Sequence, residues 1–220
     1  MSLHNKYKIG VIVILTTILV ACSNESVKTS YYDNGNTSSE LHYKNEQLNG
    51  ESIYYYEDGT IQSKYTYING VLEGISKSWF LNGSLENEIS FKEGKLDGAK
   101  KTYKMDGTTA YLETYKNDQL NGKYISYHSN GKVRIKGSYD QGLYDGYWMY
   151  LDRFGRMVGE ADFKHGSGKQ KAYYTNGKIK QLVSFKENKK DGREEFYSLE
   201  GKLIKVKLYK EGNFIEERLK

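Results

Sequence analysis

The chain has 220 residues and a formal net charge of +5, with no proline, 23 glycines, 22 tyrosines and one cysteine. One cysteine excludes an intramolecular disulfide and a multi-thiolate metal site, so the stability of the fold must come from packing. Abundant glycine and tyrosine without proline indicate turns made by Gly, Asn and Asp, and strands made by aromatic residues.

The N-terminal segment has the layout of a secretory signal. A positively charged start precedes an apolar run at 9–21, which is about 20 Å long as a helix and therefore shorter than the roughly 30 Å hydrocarbon core of a bilayer. The run closes in Leu19-Val20-Ala21-Cys22, which resembles the lipobox of bacterial lipoproteins. That resemblance implies that residues 1–21 are a removed signal peptide and that Cys22 carries acyl chains. An uncleaved anchor and an ordinary signal peptide with a chance cysteine are the alternatives.

The lipobox leads to an expected address and to domain boundaries. Two or more acyl chains hold a protein stably on a membrane, so we expect the protein in the cell envelope, lipid-anchored at the outer membrane or on the cell surface or periplasmic side. Residues 22–30 are interpreted as the acylated cysteine and a short polar tether, residues 31–216 as a repeat array, and residues 217–220 as a C-terminal tail. Nucleic acid is not an expected partner at this address.

The array consists of eight copies of one repeat. Each copy is numbered from an origin glycine, and successive origins are 24 residues apart except for one step of 22. The origins are Gly35, Gly59, Gly83, Gly107, Gly131, Gly155, Gly177 and Gly201. An aromatic residue stands eight residues after every origin, at Tyr43, Tyr67, Phe91, Tyr115, Tyr139, Phe163, Phe185 and Tyr209. A fixed period of this length is typical of a repeat array.

Each copy carries two glycine-marked turns, which predicts two strands per copy and some sixteen strands in all. Asn or Asp precedes most origin glycines, a pair that favours a type I′ hairpin turn. We place the two-residue deletion of the short step in the second turn. Offsets +2, +6 and +8 from the origin share a mostly apolar strand face, whereas offset +7 lies on the opposite, polar face.

These features predict an all-β fold: an elongated antiparallel β-hairpin repeat array, a single-layer meander of about eight 24-residue repeats. The spacing aromatic-x-x-Gly-x-x-x-Gly, preceded by Tyr-x-x-(Asp/Asn)-Gly, resembles the MORN repeat and is closest to the MORN-variant repeats of bacterial proteins. This resemblance covers nearly all of the chain after residue 30. It implies a binding scaffold for proteins or lipids, and some bacterial members of the variant family are the antitoxin or immunity half of a toxin pair.

The sequence offers no basis for catalysis. His42, His128 and His165 occupy three different repeat offsets and have no recurring carboxylate or serine beside them, whereas a catalytic triad or a metal site needs convergent groups. We therefore expect no enzymatic activity, no cofactor, no metal and no small-molecule substrate.

A non-enzymatic scaffold needs a binding surface, and aromatic residues outside the regular ladder are the candidates. They are Tyr54, Tyr56, Phe80, Trp148, Tyr150 and Tyr174. The membrane is the expected partner of the lipid anchor, and an envelope protein or a toxin is the expected protein partner. A cell-wall carbohydrate binder is a further alternative. Between Lys164 and Lys210 there are 13 basic and 5 acidic residues, which suit either an anionic surface or simple solvation of the strands.

Overall fold

The computed structural model describes residues 24–220, and these residues form strands, turns and bends without a helix. Within this range no helix is therefore long and apolar enough to cross a membrane. The strands are β1 (Glu25–Tyr31), β2 (Thr37–Lys44), β3 (Gln47–Tyr55), β4 (Ile61–Ile68), β5 (Val71–Leu72), β6 (Gly74–Trp79), β7 (Leu85–Lys92), β8 (Lys95–Tyr103), β9 (Thr109–Lys116), β10 (Gln119–Tyr127), β11 (Val133–Asp140), β12 (Leu143–Leu151), β13 (Met157–Lys164), β14 (Ser167–Tyr173), β15 (Ile179–Lys186), β16 (Lys189–Tyr197), β17 (Leu203–Lys210) and β18 (Asn213–Leu219).

The chain divides into two compact units. The N-terminal unit extends to Leu96 and includes Tyr103–Gly107, and the C-terminal unit comprises Asp97–Thr102 and Thr108–Lys220. In the N-terminal unit, β1 to β4 pair in chain order, β4 pairs with both β5 and β6, and β6 pairs with β7. In the C-terminal unit, β9 to β18 pair in chain order. All of these pairs are antiparallel, so the predicted all-β hairpin meander is confirmed.

Strand β1 corrects the predicted boundary at the start of the array. The sequence predicts a tether over residues 22–30, whereas Glu25–Tyr31 form a strand of which every residue pairs with β2. The strand satisfies backbone groups of β2 that would otherwise be unpaired, and the Lys28 ammonium lies 4.5 Å from the centre of the Tyr43 ring. At the other end β18 runs to Leu219, into the predicted tail. The predicted signal peptide and Cys22 lie outside the described residues.

The first turn of each copy ends at the origin glycine, and its geometry differs from the prediction. Every origin glycine has a positive φ, from 78° to 91°, but the Asn or Asp before it does not. In the copy of Gly59, the glycine N–H donates to Tyr56 O at 2.9 Å, and Asp58 Oδ1 accepts the N–H of Thr60 at 2.9 Å. The predicted type I′ turn is therefore wrong here. The turn is a type I turn followed by a left-handed glycine, with the Asx side chain capping it.

Two copies lack Asn or Asp before the origin glycine and are capped from a different position. Asp152 Oδ1 accepts the N–H groups of Phe154 and Arg156 at 2.8 and 3.0 Å. In the last copy, Ser198 Oγ accepts the N–H groups of the second and fourth residues after it. The turn geometry is thus preserved because a residue three positions before the glycine supplies the acceptor.

The type I′ geometry belongs instead to the second turn. At Asn69-Gly70 both central residues have positive φ, 48° and 80°, and the equivalent pairs in the other copies do as well. Even Glu187 and Asn188, with φ of 50° and 64°, follow this rule. Successive second turns within a unit are also joined by backbone hydrogen bonds, such as Gly94 N–H to Leu72 O at 2.9 Å, so neighbouring copies of that unit are tied together along this edge.

The two-residue deletion removes a bulge and leaves the second turn intact, which corrects its predicted place. Elsewhere the strand after the second turn shifts register, as in β2–β3 between Leu41 and Tyr43. The β13–β14 ladder has no shift, and Gly168 pairs directly with Phe163. Asn188 compensates for the shortened copy by reaching two copies back: its Oδ1 accepts the N–H of Tyr144 at 2.8 Å, and its Nδ2 donates to Gly142 O at 2.9 Å.

The two faces of each hairpin differ as predicted, with one correction. We call the face that carries the aromatic residues of offset +8 the core face and the opposite one the outer face. Offsets +6 and +8 include the buried residues Ala161 and Phe163. At offset +2, in contrast, Ile61 and Met157 are 40% and 44% exposed, because a register shift beside the first turn separates this position from the rest of the strand.

Candidate functional site

Trp148, one of the six aromatic residues predicted to lie at a binding surface, is in the core. Its exposed fraction is 3%, and with Ala161 and Phe163 it forms the buried cluster of the C-terminal unit. Its ring centroid lies 4.9 Å from that of Tyr144 and 5.1 Å from that of Tyr139, both edge-on. The expectation that Trp148 is exposed is therefore wrong.

Tyr150 and Tyr54 also belong to the core face. Tyr150 packs against the Trp148 cluster, and burial raises the pKa of its hydroxyl to about 12. Tyr54 in the N-terminal unit meets the Tyr65 ring edge-on with centroids 6.0 Å apart, and burial raises the pKa of its hydroxyl too. Both tyrosines lie on the core face because each stands directly opposite a core-face residue of the neighbouring strand.

Tyr56 and Tyr174 lie in first turns and join one copy to the next. Tyr56 Oη donates to Trp79 O at 2.7 Å, and Tyr174 Oη donates to Tyr197 O at 2.7 Å. Tyr32 makes the same bond one copy earlier. In each case the acceptor is 23 residues further along the chain. A bond that recurs at the repeat period indicates a structural role for these hydroxyls.

Phe80 occupies the same turn position as Tyr56 but has no hydroxyl, and exposed apolar residues accompany it. Leu81 and Met105 hold the second turn position in consecutive copies of the N-terminal unit, and each is 61% exposed. The two turns are adjacent, because Asn82 Nδ2 and Ser84 Oγ both donate to Met105 O, at 3.2 and 2.9 Å. We call Phe80, Leu81 and Met105 the tip patch.

Sequence reasoning found only Phe80 of the tip patch. The predicted binding residues are all aromatic, whereas Leu81 and Met105 are aliphatic. The sequence does contain a signal, because the same turn position is polar in the other copies except the last: it holds Asp33, Glu57, Ser129, Arg153 and Thr175, and then Leu199. An apolar side chain at the tip of a turn has no core to enter, so two in succession indicate a contact surface.

The outer face carries one carboxylate, Glu160, that is surrounded by hydrogen-bond donors. Glu160 accepts hydrogen bonds from Tyr173 Oη at 2.6 Å, Tyr147 Oη at 2.7 Å and Lys171 Nζ at 3.1 Å. These donors, Tyr173 first, lower the pKa of Glu160 to about 2. A carboxylate held ionised by three donors exchanges protons poorly near neutral pH. The cluster therefore suits cross-strand stabilisation better than acid–base chemistry.

The histidines of the described residues are dispersed. His128 Nε2 lies 2.8 Å from Leu151 O, and His165 Nδ1 lies 3.7 Å from Asp140 Oδ2. Among residues 24–220, no group of three His, Cys, Asp or Glu side chains converges to hold a metal ion.

Comparison with known families matches five segments of the chain. The family is described as the MORN repeat variant, and the matched residues are 25–45, 48–69, 72–93, 120–141 and 167–187. The chain carries MORN-variant repeats. No curated protein shows significant similarity to it.

The structure shows what one MORN-variant repeat is in this chain. Each matched segment is a strand, a first turn and the next strand, as in 48–69, which contains β3 and β4. The MORN repeat thus ends at the second turns. Outside the matched segments, residues 143–165 and 189–211 contain the two first turns capped by Asp152 and Ser198 in place of the usual Asx residue.

Proposed function

We propose that the protein is a bacterial lipoprotein, anchored in an envelope membrane through Cys22, whose MORN repeats form a non-enzymatic scaffold for another envelope protein. The lipobox-like segment 19–22 supports the anchor. The MORN-variant match supports the scaffold, because such repeats are generally modules of protein or membrane interaction.

The tip patch is the observation that carries the proposal of a protein partner. Leu81 and Met105 stay 61% exposed, although the turns that hold them are fixed by hydrogen bonds from Asn82 and Ser84. Because the backbone that carries these side chains is already ordered, binding would order little additional backbone, and the apolar side chains would gain from leaving water. The partner would therefore present an apolar pocket to this edge.

The test is a pull-down from membranes of the protein's own host, with Cys22 intact, a C-terminal tag and mass spectrometry as the readout. Leu81→Asp combined with Met105→Asp should remove the partner that the unchanged protein captures. Leu199→Asp is the matched control, since Leu199 has the same turn position in the last copy and is 55% exposed. Equal capture by all three proteins would contradict the role of the tip patch.

The identity of the captured protein separates the scaffold from its rivals. A toxin as the dominant partner would replace the scaffold with an antitoxin or immunity function. Cell-wall fragments without a protein would favour a carbohydrate binder, although the core placement of Trp148 and Tyr150 removes two of the aromatic residues on which that alternative depends. Release of a Cys22→Ser variant from the membrane fraction tests the anchor separately.

A further inference from the structure

The described chain begins at one particular edge of the N-terminal unit. Asn24 O accepts the N–H of Asn45 at 3.0 Å, and Asn24 Nδ2 donates to Asn45 Oδ1 at 3.0 Å. Asn45 is in the second turn of the first copy, so Asn24 is fixed at the second-turn edge. Only Ser23 separates Asn24 from Cys22, and two residue steps span at most about 7 Å. An acylated Cys22 would therefore bring this edge to the membrane surface.

The same edge carries apolar side chains that the fold does not bury. Ile68 and Val71 pair with each other across the second turn of the next copy, and they are 53% and 44% exposed. Ile75, on the outer face of the strand that follows, is 58% exposed. Ile68 is the last residue of the strand that leads into the second turn. In the two other copies of this unit, the equivalent residues are Lys44 and Lys92. The apolar pair is thus a departure from the repeat and not a requirement of it.

The charges around the pair nearly cancel. Along this edge of the N-terminal unit the basic and acidic residues are Lys44, Lys92 and Lys95, and Glu25, Glu46, Glu73 and Glu93. Two of these charges already pair with each other, since Lys44 Nζ lies 3.0 Å from Glu25 Oε1. Attraction to anionic lipids needs a surplus of basic residues, which this edge does not have. Contact with a membrane would therefore depend on the apolar side chains and on the anchor.

We propose that the second-turn edge of the N-terminal unit lies on the membrane, with Ile68 and Val71 at the boundary between headgroups and acyl chains. The proposal rests on the lipid anchor of the proposed function. Apolar side chains at that depth add to the affinity supplied by the acyl chains. Strand β7, of eight residues, leads from the first-turn edge to the second-turn edge and spans about 26 Å. The tip patch would then face away from the membrane, where a partner can reach it.

Site-directed fluorescence quenching tests this orientation. An Ile68→Cys variant of the full-length lipoprotein is labelled with bimane and reconstituted in phospholipid vesicles that contain a lipid with a nitroxide quencher near the headgroup. The native cysteine does not interfere, because it is the only one in the sequence and its thiol is blocked by the acyl group. Leu81→Cys is the matched control at the opposite edge, with 61% exposure of the native side chain.

Quenching several-fold stronger at position 68 than at position 81 is the expected result. It should be about equal at 0.1 M and 1 M salt, although the Debye length falls from about 10 to about 3 Å, because the contact is apolar. Equal quenching at both positions would overturn the orientation while leaving the anchor intact. Mass spectrometry of the N-terminus identifies the other failure, since a chain without acyl groups refutes the anchor and the orientation together.

Discussion

The two units build the same hairpins around different cores. In the C-terminal unit the buried apolar residues are Ile125, Trp148, Ala161, Phe163, Val183 and Val206. In the described part of the N-terminal unit the buried residues are small and polar: Ser39, Ser52, Ser63 and Ser76. One repeat position shows the difference, because offset +17 is a serine in both copies of the N-terminal unit, Ser52 and Ser76, and an aromatic residue in two copies of the C-terminal unit, Tyr124 and Trp148.

The comparison separates what specifies this fold from what stabilises it. Both units share positive-φ glycines, two-residue second turns and hydrogen bonds between successive turns, and both form antiparallel hairpins. Turn chemistry and backbone pairing therefore suffice for the architecture, as expected where each repeat contacts its neighbours. Burial of large apolar side chains is concentrated in the C-terminal unit, and we expect the greater stability there.

Replacing Trp148 by alanine tests this difference most strongly. The change removes the centre of a cluster that includes Tyr124, Tyr139, Tyr144 and Phe163, so we expect a loss of about 3–5 kcal/mol in the free energy of unfolding. Denaturant unfolding followed by circular dichroism measures it. Tyr65→Ala, at the half-buried core face of the N-terminal unit, should cost less, and an equal or greater cost would refute the asymmetry.

Gly137→Ala should have the next largest effect. A Cβ at this position would lie 2.1 Å from Trp148 Cδ2, so the indole ring must move, at a cost of about 1–3 kcal/mol. The φ of Gly137 is not in the left-handed region, which leaves the clash as the cause. A double-mutant cycle with Trp148→Ala checks this, because the cost of Gly137→Ala should largely disappear when the ring is absent. An unchanged cost would place the strain elsewhere.

The fold was predictable from the sequence because its determinants are periodic. The origin glycines and the aromatic residues of offset +8 recur in every copy, and both periodicities act through local geometry: positive φ at a turn and alternation along a strand. The turn types were harder to predict from the sequence. Asp58-Gly59 fits two turn types from sequence, and the backbone φ of Asp58 together with the capping bond to Thr60 distinguishes them.

The candidate surface was harder to predict because exposure depends on neighbouring strands. Trp148 falls outside the offset +8 ladder, yet it stands opposite Ala161 on the next strand and packs over the bare backbone of Gly137. The register that brings these residues together is set by a bulge within β12, which a repeat period does not reveal. Strand β1 was missed for a related reason, since its polar side chains mask a strand that is held by backbone pairing with β2.

Two serines that are both fully buried allow a finer test of the comparison. Ser52 Oγ in the N-terminal unit has no hydrogen-bond partner among the described residues, whereas Ser126 Oγ in the C-terminal unit accepts from Arg134 Nε at 3.3 Å. Burying an unpaired hydroxyl costs about 1–3 kcal/mol, so Ser52→Ala should be neutral or stabilising by up to about 1 kcal/mol. Ser126→Ala should be destabilising, by about 0.5–1.5 kcal/mol.

Thermal unfolding of the two alanine variants measures these opposite signs. The two substitutions have the same size and the same complete burial, so a loss of packing alone would lower both melting temperatures alike. A lower melting temperature for Ser52→Ala would show that the Ser52 hydroxyl stabilises the fold through a contact or a water. Opposite signs would confirm that the N-terminal unit tolerates a polar core at a measurable cost.

The smallest effect concerns the outer face and depends on pH. Three donors hold the pKa of Glu160 at about 2, below the value of about 4.3 for an unperturbed glutamate. The folded state therefore binds the proton less tightly than the unfolded state, so the ionised carboxylate stabilises the fold above about pH 4.3, and this contribution is lost as the pH falls toward 2.

Melting temperatures of the unchanged protein and of Glu160→Gln should differ at pH 7, keep that difference to about pH 5, and converge toward pH 2. Glu40→Gln is the control in the N-terminal unit, since Glu40 has the same repeat offset and accepts from the single hydroxyl of Tyr55 at 3.0 Å. A Glu160→Gln difference that stays constant between pH 5 and pH 2 would mean that neutral hydrogen bonding, and not the ionised carboxylate, supports the outer face of the C-terminal unit.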